Sequence, residues 1–358
     1  MTGNRRLMAV GAAVVVVVVL GAGVVAGVRW WLDSQRTELE RAMAMAPDDA
    51  QRLSWTDWAG VRDALGLNLG DDPSSSDVTD LVDRGFEADL TSTSALADSA
   101  QVMQVELGFS PATVDWELFT QSEAGAAITL GLPESADFDG LADQLDRLGY
   151  AEPESETGVW EANPDLLAQI GHLTPELTFL ALDADARMII GSDTLPGAEA
   201  AVEAAAEQEE PGGGLGEVVS STADEREPLS GAFYTGDQVC GALSMGQADS
   251  VDQDQAAELV DAAGEINPLT GFAMTQEPDG DLRVAMAFET EEQARTNADT
   301  RAVLAAGPAP GQGGDFTDRF ELGPVTAEGL VVTMELNPNE GNYVLSDLSN
   351  GPVLFATC

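Results

Sequence analysis

Residues 271–306, GFAMTQEPDGDLRVAMAFETEEQARTNADTRAVLAA, carry the pattern that decides the fold. Gly271 to Gln276 and Leu282 to Phe288 are short, β-rich apolar runs on either side of EPDGD. Within that turn, Asp279-Gly280 supplies the backbone freedom that a tight hairpin needs. Thr290-Glu-Glu-Gln293 then has the spacing of a capping box, in which the Thr and Gln side chains satisfy the free N–H groups of a helix start. The helix is expected to run to about Ala306, where Gly307-Pro308 ends it. The unit reads strand, turn, strand, helix.

The same order recurs upstream. Val114 to Phe119 and Ala126 to Leu132 precede a helix from Phe138 to Leu148, stopped by Gly149. Thr178 to Leu182 and Arg187 to Gly191 flank the turn DADA, and Thr194 caps a helix from Leu195 to about Glu207. Phe320 to Gly323 and Leu330 to Leu336 form a last pair before a strand-like PVLFAT at 352–357. Near the start, Leu53 to Leu65 opens with strand-like alternation, and Asp57 then caps a short helix closed by Gly66. Hairpins alternating with helices predict an α+β fold of antiparallel sheets with helices on one face, built as two similar lobes.

The N-terminus obeys different rules. Leu7 to Val28 is uncharged and includes six consecutive valines, Val14 to Val19. At about 1.5 Å per residue a helix there would cover about 33 Å, enough for a hydrocarbon core of about 30 Å. Arg29, Trp30 and Trp31 follow, residue types that settle at the membrane interface. The run is longer than the apolar region of a cleaved signal peptide, so an uncleaved signal-anchor is expected, with cleavage as the alternative. The expected partition is a short cytoplasmic 1–6, a transmembrane helix 7–28 and a juxtamembrane stalk 29–52. A first α+β lobe 53–207, an acidic Gly-rich linker 208–228 and a second α+β lobe 229–358 complete it.

The rest is intensely acidic. The chain carries 63 Asp+Glu against 15 Lys+Arg, a net charge of −48, and every basic residue is Arg. Affinity for nucleic acid comes largely from cations that neutralise phosphates, so no nucleic-acid partner is expected. The expected partners are the lipid bilayer, through 7–28, and a protein or ligand that the sequence leaves unnamed. Arg5-Arg6 before the apolar run resembles an export signal, which places the soluble region outside the cytoplasm of a single-pass cell-membrane protein. The two cysteines, Cys240 and Cys358, agree as a candidate disulfide, the alternative being two separate buried thiols. Such a bridge would pin the C-terminus.

The stretch MAPDDAQRLSWTDWAGVRDALG, following an apolar span, resembles the opening of uncharacterised membrane-anchored extracytoplasmic proteins of high-GC Gram-positive, actinobacterial type. Those proteins share a Pro-Asp/Ala-Asp element and a T-D-W-A-x-[VI]-R element. The resemblance covers only this segment and brings no known activity.

Chemistry is sparse. His172, in QIGHLTPE, is the only histidine, and any Ser-His or Cys-His mechanism would need it; its setting reads as a structural turn. No nucleophile elbow, phosphate loop or dinucleotide fingerprint is present, and the absence of Lys excludes Schiff-base chemistry. Asp71, Asp72, Asp77 and Asp80, and Asp249, Asp252 and Asp254, offer oxygen ligands but lack the spacing of a calcium loop. Helix capping explains them, so no metal or cofactor is expected. Trp55, Trp58, Trp116 and Trp160 read either as core or as the lining of a groove, and Asp57 with Arg62 as an ion pair or as a cap beside a surface Arg. The expected role is non-enzymatic: binding a partner or supporting the envelope. The alternative is a lipid or glycan binder with a cleft between lobes, and the lesser one a hydrolase using a carboxylate pair.

Overall fold

The structure, a computed structural model, describes residues 36–358 apart from 156–157, 164 and 224–226. The expected span 7–28 and its interface residues Arg29, Trp30 and Trp31 lie outside the described residues. Among the described residues no helix is long and apolar enough to cross a membrane.

The strands are β1 (Arg52–Thr56), β2 (Trp116–Ser122), β3 (Gly125–Gly131), β4 (Val159–Glu161), β5 (Phe179–Asp183) and β6 (Met188–Ser192). They continue with β7 (Ser230–Thr235), β8 (Gly271–Gln276), β9 (Leu282–Ala287), β10 (Phe320–Glu328) and β11 (Val331–Pro338). All pair antiparallel in a single sheet of order β10-β11-β9-β8-β7-β1-β2-β3-β6-β5-β4. The α+β class expected from the hairpin pattern is the class observed.

The expectation of helices on one face is overturned. Leu53, Trp55, Leu118, Ile190 and Phe233 point to one side, against helices Glu38–Met43, Leu195–Glu207 and Gly213–Thr222. Ile128, Leu130 and Leu180 point to the other, as do Phe272, Met274 and Val284 in the second half; helices cover them there too. The cause is visible in runs such as FAM, VAMA and MII, which are apolar at consecutive positions. A strand apolar on both sides must be covered on both sides.

The sheet repeats itself. β2-β3, helix Phe138–Leu148 and β5-β6 lie in the order β2-β3-β6-β5; β8-β9, helix Glu291–Ala305 and β10-β11 lie in the order β8-β9-β11-β10. β1 flanks β2 as β7 flanks β8, and β1 pairs with β7 with Ser54 opposite Ala232. Two like halves therefore meet edge to edge across an approximate two-fold axis. The seam is a pair of hydrogen-bonded strands. Within the expected linker, residues 213–222 form a helix packed on β8 and β9, because Leu215, Val218 and Val219 present an apolar stripe to the sheet.

Local signals hold in detail. Thr194, Thr290 and Asp137 each accept a backbone N–H at a helix start, and Gly149 (φ +98°) closes the 138–148 helix in the left-handed region. Gln293 departs from the expected box: its side chain accepts from the N–H of Glu289, one residue before the cap. The strand-like PVLFAT instead makes a 3-10 turn at Leu354–Ala356, fully buried. Cys240 and Cys358 form a disulfide, with Cα atoms 5.5 Å apart across a sequence separation of 118.

A candidate binding groove in the first half

A groove of about 650 Å³ opens in the first half, on the side of the sheet to which Ile128 and Leu130 point, where three separated segments converge. The first is helix Trp58–Ala64 with the loop to Asp71, in which Gly66 and Gly70 adopt positive φ. The second runs from Val105 to Asp115, just before β2. The third begins at Leu132, just past β3, and continues through the first turns of the 138–148 helix. Leu107, Phe109, Ala112 and Leu132 form a buried floor. Leu67, Leu69 and Leu141 line the walls, and Val105 stands at the mouth with 59% of its surface in water.

Arg62 holds the convergence together. Its guanidinium donates at 2.8 Å to the carbonyls of both Pro111 and Val114, and Asp115 lies 3.9 Å away. Burial pulls the Arg62 pKa down, opposed by the charges of Asp115, Asp57 and Asp63. Burial likewise raises Asp115, opposed by Arg62 and Arg187. Of the two readings of Asp57 and Arg62, the cap is the one observed for Asp57, while Arg62 is half-buried and faces Asp115. Asp57 accepts from the N–H of Gly60 at 2.8 Å as the helix cap, and burial raises its pKa. Gln144 donates to the Glu106 carbonyl at 2.6 Å, and Arg187 donates to the Pro133 carbonyl while stacking over Phe138. Each wall is thus braced from behind. On the rim, Asp63, Asp71 and Asp137 are exposed carboxylates.

Against Trp58, on the first of these segments, lies a buried acid missing from the sequence-based candidates. Glu117 accepts from Trp58 Nε1 at 2.9 Å, Ser94 Oγ at 2.7 Å and the Ala95 N–H at 2.7 Å. Burial raises its pKa, and those donors oppose the rise. With its bonds made to its own chain, it acts as a brace for helix 58–64. An inward-facing Glu inside the apolar run WELF was the available signal.

The other sequence candidates lie elsewhere. Trp55 stacks on Trp116 at 5.8 Å, and these two, with Trp58 and Trp160, are buried, so these four are core and stand outside the lining of this groove. His172 is exposed and outside the groove lining. Asp77 completes a capping box with Ser74, Asp80 pairs with Arg84, and Asp249 caps helix Ser250–Ala263. Among the described residues no group of three His, Cys, Asp or Glu side chains is placed to hold a metal ion.

No protein family matches the chain, and no curated protein does. A solved structure titled "Structure of crystal form I of TP0453" is similar over 86% of this chain and 96% of its own, at 8% identity and a TM-score of 0.43. A likeness so distant informs neither fold nor function.

Proposed function

We propose that the chain is a membrane-tethered, extracytoplasmic binding module, non-enzymatic, whose first-half groove takes a ligand with both apolar and polar parts. The observation that carries the reading is the groove itself. Buried apolar side chains underlie its floor, more of its accessible lining is polar than apolar, and Arg62, Gln144 and Arg187 brace its walls, so it is pre-formed in the way binding sites usually are. The tether rests on the uncharged Leu7–Val28 run with Arg29, Trp30 and Trp31 behind it. The Cys240–Cys358 disulfide supports an oxidising compartment. A surface of this charge favours neither nucleic acid nor close lateral contact with anionic lipid.

The test is native mass spectrometry of the full chain extracted from membranes, beside Leu141→Trp, which fills the groove from a partly exposed wall. The expected result is a stoichiometric non-covalent adduct on the wild-type chain that is missing from the variant. An unliganded wild-type mass, or an adduct retained by the variant, would sink the reading.

A further inference from the structure

The repeat supplies a comparison inside the molecule. In the first half the groove lies between the helix after β1, the residues before β2 and the helix after β3. The matching elements of the second half are helix Gly236–Ala242 after β7, residues 264–270 before β8 and helix Glu291–Ala305 after β9. Both first helices are seven residues long.

In the second half that position is filled. The chain's own C-terminal segment lies there, with Val353, Leu354, Phe355 and Ala356 completely buried. The Val353 N–H donates to the Leu243 carbonyl at 2.7 Å, just past the 236–242 helix, and Thr357 Oγ1 accepts from the Met245 N–H. From the 291–305 helix, Arg301 donates to the carbonyls of Phe355 at 2.6 Å and Thr357 at 3.0 Å, and also to that of Asn267 before β8. The disulfide from Cys240, on the 236–242 helix, closes the arrangement. The helices after β7 and after β9, the first with the residues that follow it, thus hold the segment, and Arg301 ties the residues before β8 to the same point.

Resting on the reading of the groove as a binding site, we infer that it is the open counterpart of this filled position and takes a short apolar peptide segment of a partner protein, flanked by basic residues. The size and apolar character follow from the segment that fills the sister site. The basic flank follows from the rim: Asp63, Asp71 and Asp137 face water there, while the one arginine in the lining, Arg62, is committed to Pro111, Val114 and Asp115. Exposed Asn68 and Ser135 stand on the same rim and can bond a peptide backbone. The field of a chain of net charge −48 steers the same partner inward.

The experiment uses the full chain in nanodiscs and a fluorescein-labelled, amidated synthetic peptide carrying Val-Leu-Phe-Ala between two pairs of arginines. Anisotropy is expected to show saturable one-to-one binding that raised salt weakens. At least tenfold loss is expected for Leu141→Trp, for Val105→Trp (a second blocking change at an exposed position), and for Asp63→Asn with Asp71→Asn. Hydrogen exchange should slow at residues 63–71 and 105–113 on binding. The inference is overturned by absence of saturable binding, by equal binding to both folded tryptophan variants, or by a glutamate-flanked peptide binding as well. Should the membrane-extracted chain carry a lipid lost in Leu141→Trp, with no affinity for the peptide, the groove reading stands and the peptide inference falls.

Discussion

Asp89 is a buried acid whose three hydrogen-bond donors come from both halves of the molecule. Its carboxylate accepts from the N–H groups of Leu345 (2.7 Å) and Ser346 (3.1 Å) in the second half and from Ser92 in its own. Burial pushes its pKa up to about 6, with the Asp347 charge adding to the rise and the three donors opposing it. An unfolded Asp titrates near 4. The folded state therefore binds the proton more tightly, and its advantage is full below about pH 4 and lost as pH rises through 6. Denaturant unfolding of the full chain should show stability falling from pH 4 to pH 7, with Asp89 accounting for up to about 3 kcal/mol. Asp89→Asn should flatten that slope, and an unchanged slope in the variant would remove Asp89 from the account. Burial raises Glu117, Asp57, Asp115 and Glu38 as well, so the background slope has the same sign.

At the scale of elements, the C-terminal segment shows how a tail becomes core. Arg301 is completely buried, lies over the Phe288 ring at 5.4 Å, and spends its donors on carbonyls and on Asn297 Oδ1. Burial pulls its pKa down to about 9, the cost of placing this cation inside. The disulfide constrains the unfolded chain over a long loop, worth about 4–5 kcal/mol in the chain-entropy picture. Replacing Cys240 and Cys358 together by Ser should lower unfolding free energy by about that amount and speed hydrogen exchange at 353–357. A variant as stable as the parent would show that Arg301 and the buried apolar side chains hold the segment unaided. This element also marks where sequence reading stops. The 138–148, 195–207 and 291–305 helices and their hairpins were legible because caps and turns act over three or four residues. The turn at Leu354–Ala356 has a strand-like sequence, but its conformation depends on Arg301, Leu243 and Phe316, all distant in sequence. Helix 213–222 was hidden by its Gly-rich start, and its apolar stripe shows its purpose only once β8 and β9 lie beneath it. The groove was illegible for the same reason: its three segments meet only through the sheet, and Arg62, the residue joining two of them, looked like a surface arginine.

At the scale of the whole molecule, the question is whether two like halves behave as two domains or one. Each half owns an apolar cluster on one face of the sheet, whereas the cluster on the other face joins Trp55, Trp116 and Ile190 to Phe233, Ala273 and Ala285 across the seam. The β1–β7 ladder adds backbone hydrogen bonds through residues 52–56 and 230–234, and Arg52 lies over the Tyr234 ring. Asp89 and the Gln276 bond to the Ala88 carbonyl cross the seam again on the opposite face. A half exposed along this seam would uncover a shared core and a long unpaired strand edge, both strongly unfavourable in water. The two halves should therefore unfold as one cooperative unit. Among the described residues the tryptophans are Trp55, Trp58, Trp116 and Trp160, all in the first half, so their share of the fluorescence reports that half, whereas far-ultraviolet circular dichroism reports both. Heating the full chain should give coincident transitions by the two signals. A fluorescence change complete before half of the dichroism is lost would mean that the halves part at β1–β7, and the shared face would then contribute less than its burial implies.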